Sequence, residues 1–212
     1  MPIYTVQQGD CFNSIAFEKG FFWEALWDLP ENADLKSRRK NPNALLPGDE
    51  VFIPDKEPKQ VACATGKRHV FRRKGVPSRL DLVLLDSKHQ QRSGVPYTLE
   101  VEGQRFEGTT ADDGKISQTI PPNAREGTLT LRPAGQAEEA YRLKLGHLNP
   151  LDHPSGIQSR LGNLGYYRGQ ITGEMDEATR WALSAFQQSA GIEATGEADA
   201  ATQAALAERY GG

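Results

Sequence analysis

The sequence has few cysteines and no long apolar run. It contains 212 residues, of which two are cysteines and 37% are hydrophobic. Its longest apolar runs, such as Leu82–Leu85, are far shorter than the roughly 20 residues that a membrane-spanning helix needs. Two cysteines are too few for the disulfide-rich class of small secreted proteins. The low apolar content favours several small cores over one large core.

The sequence also lacks a strong charge of one sign and a secretory signal. The formal net charge is −3, and the first residues have neither a basic segment nor an apolar segment. A nearly balanced charge gives no electrostatic reason to bind nucleic acid or an anionic membrane. We therefore expect no nucleic acid and no membrane among the partners, and we expect synthesis in the cytoplasm without a Sec signal.

Two polar stretches with the composition of linkers divide the chain. Residues 53–60 contain two prolines around charged side chains, and residues 146–154 contain Gly, Asn-Pro and a second proline. They predict three domains, at residues 1–58, 61–146 and 152–210. Patterns within these blocks predict a multidomain α+β chain, with a βααβ unit, an all-β sandwich and a three-helix all-α bundle in that order.

The first block has β-prone ends at Ile3–Val6 and Glu50–Pro54. Between them, helical periodicity predicts helices over Asn13–Lys19 and Phe22–Leu29, with Phe22 on the core face. Trp23 and Trp27, one helical turn apart, share a different edge. These two residues either pack into the unit or form an aromatic platform for a sugar or a protein.

The two ends of this block resemble a LysM domain. Tyr4–Ala16 resembles the opening of that domain and Asn41–Pro54 resembles its close, although residues 31–40 lengthen the connection and Cys11 replaces the usual Thr or Ser. LysM domains bind glycans that contain N-acetylglucosamine, such as peptidoglycan and chitin. The resemblance implies a groove between two loops, formed by Gly9, Asp10, Cys11, Phe12, Asn43, Ala44, Leu45 and Leu46. Alternatively, the Gly-Asp pairs only make the turns that the fold requires.

The middle block alternates apolar and polar residues between frequent turn signals. This pattern predicts strands over His69–Arg73, Leu80–Leu85, Tyr97–Glu102, Gln104–Gly108, Lys115–Ile120, Thr128–Arg132 and Tyr141–Leu145. Residues 96–121 resemble a transthyretin-like or carboxypeptidase-regulatory sandwich, and they also resemble modules on spike proteins of bacterial contractile injection systems. The basic residues from 67 to 74 form either a solvated face or a docking patch for an acidic partner.

The third block contains an internal repeat. Residues 172–183 and 195–206 are identical at eight of twelve positions, with a spacing of 23 residues. In each copy an aspartate, Asp176 or Asp199, precedes a helical pattern as an N-cap. The block therefore predicts three helices, over about 155–164, 176–189 and 199–209.

Residues 158–169 together with residues 179–187 resemble the three-helix peptidoglycan-binding domain. That family implies a non-catalytic wall-targeting module that is often attached to a hydrolase. The candidate ligand contacts are Tyr166, Tyr167, Arg168, Arg180 and Gln187. The aromatic rings suit sugars or stem peptides, and the guanidinium groups suit a stem carboxylate. Alternatively, the two tyrosines only pack the turn.

No pattern for catalysis or metal binding accompanies these modules. The spacing of the four histidines fits no zinc motif, and Cys11 stands at a predicted helix start with no positioned histidine. We expect no catalytic residue, no metal, no cofactor and no enzymatic activity. A disulfide between Cys11 and Cys63 is an open alternative.

Together these patterns predict a peptidoglycan-binding adaptor or accessory protein of a contractile injection apparatus, of the type VI secretion or phage tail kind. Its expected partners are peptidoglycan and the spike or effector proteins of the apparatus, which would export it to the periplasm or a target cell. Two alternatives stay open: the delivery segment of a wall-active effector or lysin, and a purely structural docking module of a baseplate or spike.

Overall fold

The structure is a computed structural model, and it describes residues 3–56, 62–70 and 77–210. These residues form a mixed α+β chain with three groups of secondary structure, each around its own hydrophobic cluster. The predicted fold class is therefore confirmed. In the described part of the chain, no helix has the length and hydropathy to cross a membrane. Cys11 and Cys63 are not joined by a disulfide.

The N-terminal unit pairs its two ends, as the sequence predicts. Its elements are β1 (Ile3–Thr5), α1 (Phe12–Lys19), α2 (Trp23–Trp27), a 3₁₀ turn (Pro30–Asn32), α3 (Ala33–Arg39) and β2 (Glu50–Phe52). The strands β1 and β2 are antiparallel. The segment that lengthens the connection thus forms a third helix, α3, which the periodicity of the sequence does not predict.

Helix α1 begins at Cys11, whose thiol replaces the usual hydroxyl of a helix cap. The Ser14 amide donates to Cys11 Sγ at 3.4 Å, and the Cys11 amide donates to Ser14 Oγ at 3.0 Å. Trp27 packs edge-on against Phe12 with ring centroids 4.7 Å apart, so it belongs to the core. The predicted core position of Phe22 is wrong, because this residue precedes α2 in extended conformation and is 51% exposed.

The middle unit packs two antiparallel sheets together. Strand β3 (Ser78–Val83) pairs with β6 (Lys115–Ile120), and the second sheet has the order β5-β4-β7-β8. The strands of this second sheet are β4 (Pro96–Val101), β5 (Gln104–Thr109), β7 (Glu126–Leu131) and β8 (Glu139–Lys144). Six of the seven predicted strands are thus present. The seventh, over His69–Arg73, lies mostly outside the described residues.

The C-terminal unit consists of the three predicted helices: α4 (Pro154–Asn163), α5 (Glu177–Ala190) and α6 (Ala200–Tyr210). Both predicted caps are formed. The Thr179 amide donates to Asp176 Oδ1 at 2.8 Å, and the Thr202 amide donates to Asp199 Oδ1 at 2.8 Å. Hydrogen bonds from these threonines hold the pKa of both aspartates below the ordinary value.

Side chains of all three units meet at their borders. Arg125 of the middle unit donates to Asp10 Oδ1 at 2.5 Å. Arg39 of α3 forms a bidentate pair with Asp49, at 2.7 and 2.8 Å, and also lies 3.3 Å from Asp152, which precedes α4. Because the side chains of Arg39 and Asp49 are only 10% and 4% exposed, the Arg39–Asp49 pair is shielded from solvent.

Candidate functional site

Two buried glutamines hold the two copies of the internal repeat in the C-terminal unit. Gln158 Nε2 donates to Thr172 Oγ1 at 3.1 Å, to the Glu174 carbonyl at 2.9 Å and to Thr179 Oγ1 at 2.9 Å. Its Oε1 accepts from the Gly173 amide at 2.9 Å. One amide side chain thus fixes the whole Thr-Gly-Glu turn that leads into α5.

Gln187 repeats this arrangement in the second copy. It donates to Thr195 Oγ1 at 3.0 Å, to the Glu197 carbonyl at 2.9 Å and to Thr202 Oγ1 at 2.7 Å, and it accepts from the Gly196 amide at 2.8 Å. Its exposure is 0%. Gln187 therefore stabilises the turn from the interior of the unit. Contact between this side chain and a ligand stays a prediction.

Tyr167 lies inside the turn between α4 and α5. It is 6% exposed, and its hydroxyl donates to the Gln170 carbonyl at 2.8 Å. A Cβ at position 169 would lie 2.5 Å from this hydroxyl, so only glycine fits there. The turn is wrapped around the Tyr167 ring, which favours the packing alternative for this residue.

Tyr166 is half-buried against the middle unit. Its ring stacks on His89 with centroids 4.9 Å apart and an interplanar angle of 18°, and its edge meets Phe186. His89 Nε2 lies 3.0 Å from the Leu164 carbonyl. Because a carbonyl only accepts, this nitrogen is the donor. One face of the predicted ligand residue is thus already covered by His89, which lies on a short hairpin of the middle unit, residues 85–91.

The two predicted arginines are the exposed members of the set. Arg168 makes no ion pair with the described part of the chain, and Arg180 pairs with Glu197 at the surface. Beside Arg180, the indole of Trp181 is 69% exposed. Trp181 is not among the ligand contacts predicted from the sequence. The signal lies in the repeat, because Trp181 stands where the second copy has Ala204.

In the N-terminal unit, the two predicted groove loops lie side by side. The Phe12 amide donates to the Pro42 carbonyl at 2.9 Å. Phe12, Ala44 and Leu45 are 0%, 4% and 4% exposed, so they form the core beneath the loops. Cys11, Asn43 and Leu46 remain accessible at the surface of the predicted groove.

Gly9 and Asp10, at one end of this predicted groove, are covered by the middle unit. Asp10 is 3% exposed and accepts from Tyr4 Oη and the Gln7 amide, both at 2.8 Å, in addition to Arg125. Burial and the bond to Asp10 raise the pKa of Tyr4 to about 12. A Cβ at position 146 would lie 2.5 Å from the Gly9 carbonyl. This close approach closes that end of the groove.

The described residues, 3–56, 62–70 and 77–210, contain no candidate metal site. Within these ranges, no three His, Cys, Asp or Glu side chains lie close enough together to hold a metal ion.

The C-terminal unit matches a known family. Residues 155–206 fit the family model described as "Putative peptidoglycan binding domain". No curated protein and no solved structure was found to match the chain. The matched range contains both buried glutamines and the exposed Arg168, Arg180 and Trp181. The match supports a peptidoglycan-binding domain at residues 155–206, with peptidoglycan as its partner.

Proposed function

We propose that this chain is a non-catalytic adaptor that binds peptidoglycan, and that its C-terminal unit makes the main contact with the wall. The match of residues 155–206 to the peptidoglycan-binding family carries the proposal. The exposed side chains in that range have the chemistry that the polymer requires. Peptidoglycan offers sugar rings, acetamides and stem peptides with free carboxylates.

Arg168 and Arg180 are proposed to bind a stem carboxylate. Arg168 has no acidic partner within the described residues, and the Arg180–Glu197 pair is exposed, with 45% and 58% of the two side chains in contact with solvent. An exposed ion pair contributes about 1 kcal/mol at most, so a ligand carboxylate can replace Glu197. The Trp181 ring beside Arg180 offers an apolar face to a sugar.

The N-terminal unit is proposed as a weaker second glycan site of the LysM kind. Its accessible positions are Cys11, Asn43 and Leu46, while Gly9 and Asp10 are covered. Contacts from Arg125 to Asp10 and from Arg39 to Asp152 tie this unit to the rest of the chain. Two weak sites held on one chain gain avidity when both can reach the same polymer.

The place of this adaptor in a contractile injection apparatus is part of the proposal. It is supported by the resemblance of residues 96–121 to spike-associated sandwiches. On this view the chain is made in the cytoplasm and exported with spike or effector proteins. Co-purification with a spike protein of such a system would test this part separately from wall binding.

Co-sedimentation with purified sacculi tests the wall-binding proposal. The whole chain is expected to pellet with sacculi, and an Arg168→Ala/Arg180→Ala double variant is expected to bind about tenfold more weakly or worse. An Arg105→Ala/Arg142→Ala double variant is the matched control, because these arginines are exposed on the middle unit and also pair with glutamates. Failure of the whole chain to pellet at tens of micromolar would refute the proposal.

A further inference from the structure

An open groove lies at the edge of the middle sandwich, where β8 faces the short hairpin of residues 85–91 in the connection between β3 and β4. Its volume is about 510 Å³. Small-ligand sites are commonly roughly 300–1,000 Å³. The groove lies outside both regions that the sequence predicts to bind a ligand.

An exposed aromatic ring forms one wall of this groove. Tyr141 of β8 is 45% exposed, although it pairs in register with the buried Leu129 of β7. Its hydroxyl donates to Glu139 Oε2 at 2.6 Å, and Glu139 in turn accepts two bonds from Arg92, at 2.8 and 3.0 Å. The ring is thus held in one orientation before any ligand arrives, which reduces the entropy lost on binding.

The charged side chains of the groove leave no cation unpaired among the described lining residues. Arg92 is the basic side chain among the described lining residues, and Glu139 engages it with both carboxylate oxygens. The Asp86 carboxylate accepts from the backbone amides of Lys88 and Gln90, at 2.8 and 2.9 Å, and shapes the hairpin. A phosphate or carboxylate ligand would therefore meet no unpaired cation, so the groove does not favour anions.

The remaining polar side chains are neutral and available. Ser87, Gln91 and Gln136 line the groove, and their side chains make no hydrogen bond with the part of the chain that the structure describes. Hydroxyl and amide groups around an aromatic platform suit a polyhydroxylated, uncharged ligand. The ring covers the apolar face of a pyranose, and the amides bond to hydroxyl and acetamide groups.

We propose that this groove is a saccharide-binding site that takes N-acetylated hexosamine units, with Tyr141 as the stacking platform. The inference rests on the proposed wall-binding function, because it assigns the glycan strand of the same polymer to the middle unit. The sandwich then contributes directly to binding, in addition to spacing the two outer units.

The position of the groove supports this assignment. Ser87 lines it, and His89, two residues further along the same hairpin, stacks on Tyr166 of the C-terminal unit. The groove therefore adjoins the surface of the peptidoglycan-binding unit. A glycan strand seated on Tyr141 would lie near the unit that is proposed to bind the stem peptides, so one polymer could contact both.

An NMR titration of the isotopically labelled whole chain with the tetramer of N-acetylglucosamine tests the site. The amide signals of Gln91, Gln136 and Tyr141 are expected to shift together. Tyr141→Ala should weaken this binding about tenfold, a change of about 1.4 kcal/mol. Tyr141→Phe keeps the ring and should stay within threefold of the native protein. Val83→Ala, an exposed apolar position on the same unit, should leave the affinity unchanged.

If the tetramer leaves the groove signals unchanged, or if Tyr141→Ala binds it normally, the saccharide site is refuted even when the chain pellets with sacculi. If a free stem peptide shifts the groove signals and the tetramer does not, the assignment to sugar is overturned. If the tetramer shifts them and the chain fails to pellet, the groove proposal stands and the wall-binding function falls.

Discussion

The N-terminal and C-terminal units differ in how they present their predicted ligand residues. In the N-terminal unit, Gly9 and Asp10 are buried against the middle unit, and Arg125 donates a hydrogen bond to the Asp10 carboxylate. In the C-terminal unit, Arg168 and Arg180 point into solvent while the buried glutamines hold the turns beneath them. Residues 155–206 match a peptidoglycan-binding family model, whereas the glycan groove of the N-terminal unit is a prediction from sequence. The predicted groove of the N-terminal unit is thus partly closed. The C-terminal unit, in contrast, has an open edge formed by the exposed side chains of Arg168, Arg180 and Trp181.

The largest expected effect is the loss of stability on removing Gln187, one of the two buried glutamines that hold the turns of the C-terminal unit. Gln187→Ala removes four hydrogen bonds and leaves Thr195, Thr202 and the Gly196 amide without this buried partner. We expect the free energy of unfolding of the C-terminal unit to fall by about 3 kcal/mol. Urea unfolding measures the loss, and Gln188→Ala, at the neighbouring exposed position, is the control. A loss below about 1 kcal/mol would show that the hydrogen bonds of Gln187 are dispensable for stability.

The next effect concerns the closed end of the N-terminal groove. Asp10→Asn removes the carboxylate that Arg125, Tyr4 and the Gln7 amide share in a site that is 3% exposed. We expect a loss of about 2 kcal/mol, because Arg125 is left without its main partner. Tryptophan fluorescence during urea unfolding measures it, with the exposed Asp34→Asn as control. Equal stability of the two variants would contradict a structural role for the Asp10–Arg125 contact.

The pH dependence of stability tests the Arg39–Asp49 pair of the N-terminal unit. Burial alone would raise the pKa of Asp49, but bonds from Arg39 and the Leu46 amide outweigh burial and lower it. A carboxyl group with a lowered pKa stabilises the fold above its unfolded value of about 3.9, and this contribution is lost as the pH falls below that value. Asp49→Asn should therefore lose less stability than the native protein on acidification from pH 5 to pH 3. Parallel curves in urea unfolding would refute this assignment.

A smaller effect is expected where the middle unit covers Tyr166. His89→Asn removes the stacked ring, and asparagine tolerates the positive φ of 59° at this position. We expect thermal unfolding to show a loss of about 1 kcal/mol. Binding to sacculi should change by less than twofold, because the proposed wall contacts are Arg168, Arg180 and Trp181. A clear gain in affinity would show instead that His89 masks a ligand surface on Tyr166.

The smallest effect on stability is expected at the open edge itself. Glu197→Gln removes the surface partner of Arg180 and should change the free energy of unfolding by less than about 0.5 kcal/mol. Freed from this pair, Arg180 should bind sacculi slightly more tightly. Glu193→Gln, at another exposed position of the same turn, should alter neither property. Weaker binding by Glu197→Gln alone would count against Arg180 as a carboxylate ligand.

The features of the fold that depend on local pattern could be predicted from the sequence. The repeat with Asp176 and Asp199 gave the helices and caps of the C-terminal unit, and alternation gave six strands of the middle unit. Helix α3 was missed, because its short stretch of residues 33–39 contributes a single buried apolar residue, Leu35, and so carries no apolar period. Phe22 was misplaced for a related reason, since its position before the helix start removes it from the helical period.

The availability of the candidate site residues could not be predicted, because it depends on contacts between distant parts of the chain. Nothing near Asp10 in the sequence indicates that Arg125 will bury it, and nothing near Tyr166 indicates that His89 will stack on it. Gln187 looks like an exposed polar residue until the repeat is folded and its amide lies among two threonines and a turn. Exposure of Arg168, by contrast, follows locally from its place in a glycine-rich turn.

A titration of the labelled whole chain with a soluble muropeptide, followed by the backbone amide signals, tests the central claim most directly. The account predicts that the signals of Arg168, Arg180 and Trp181 shift together, and that the Arg168→Ala/Arg180→Ala double variant abolishes these shifts. Shifts confined to other parts of the chain, or none at millimolar muropeptide, would contradict the claim that the open edge of the C-terminal unit binds peptidoglycan.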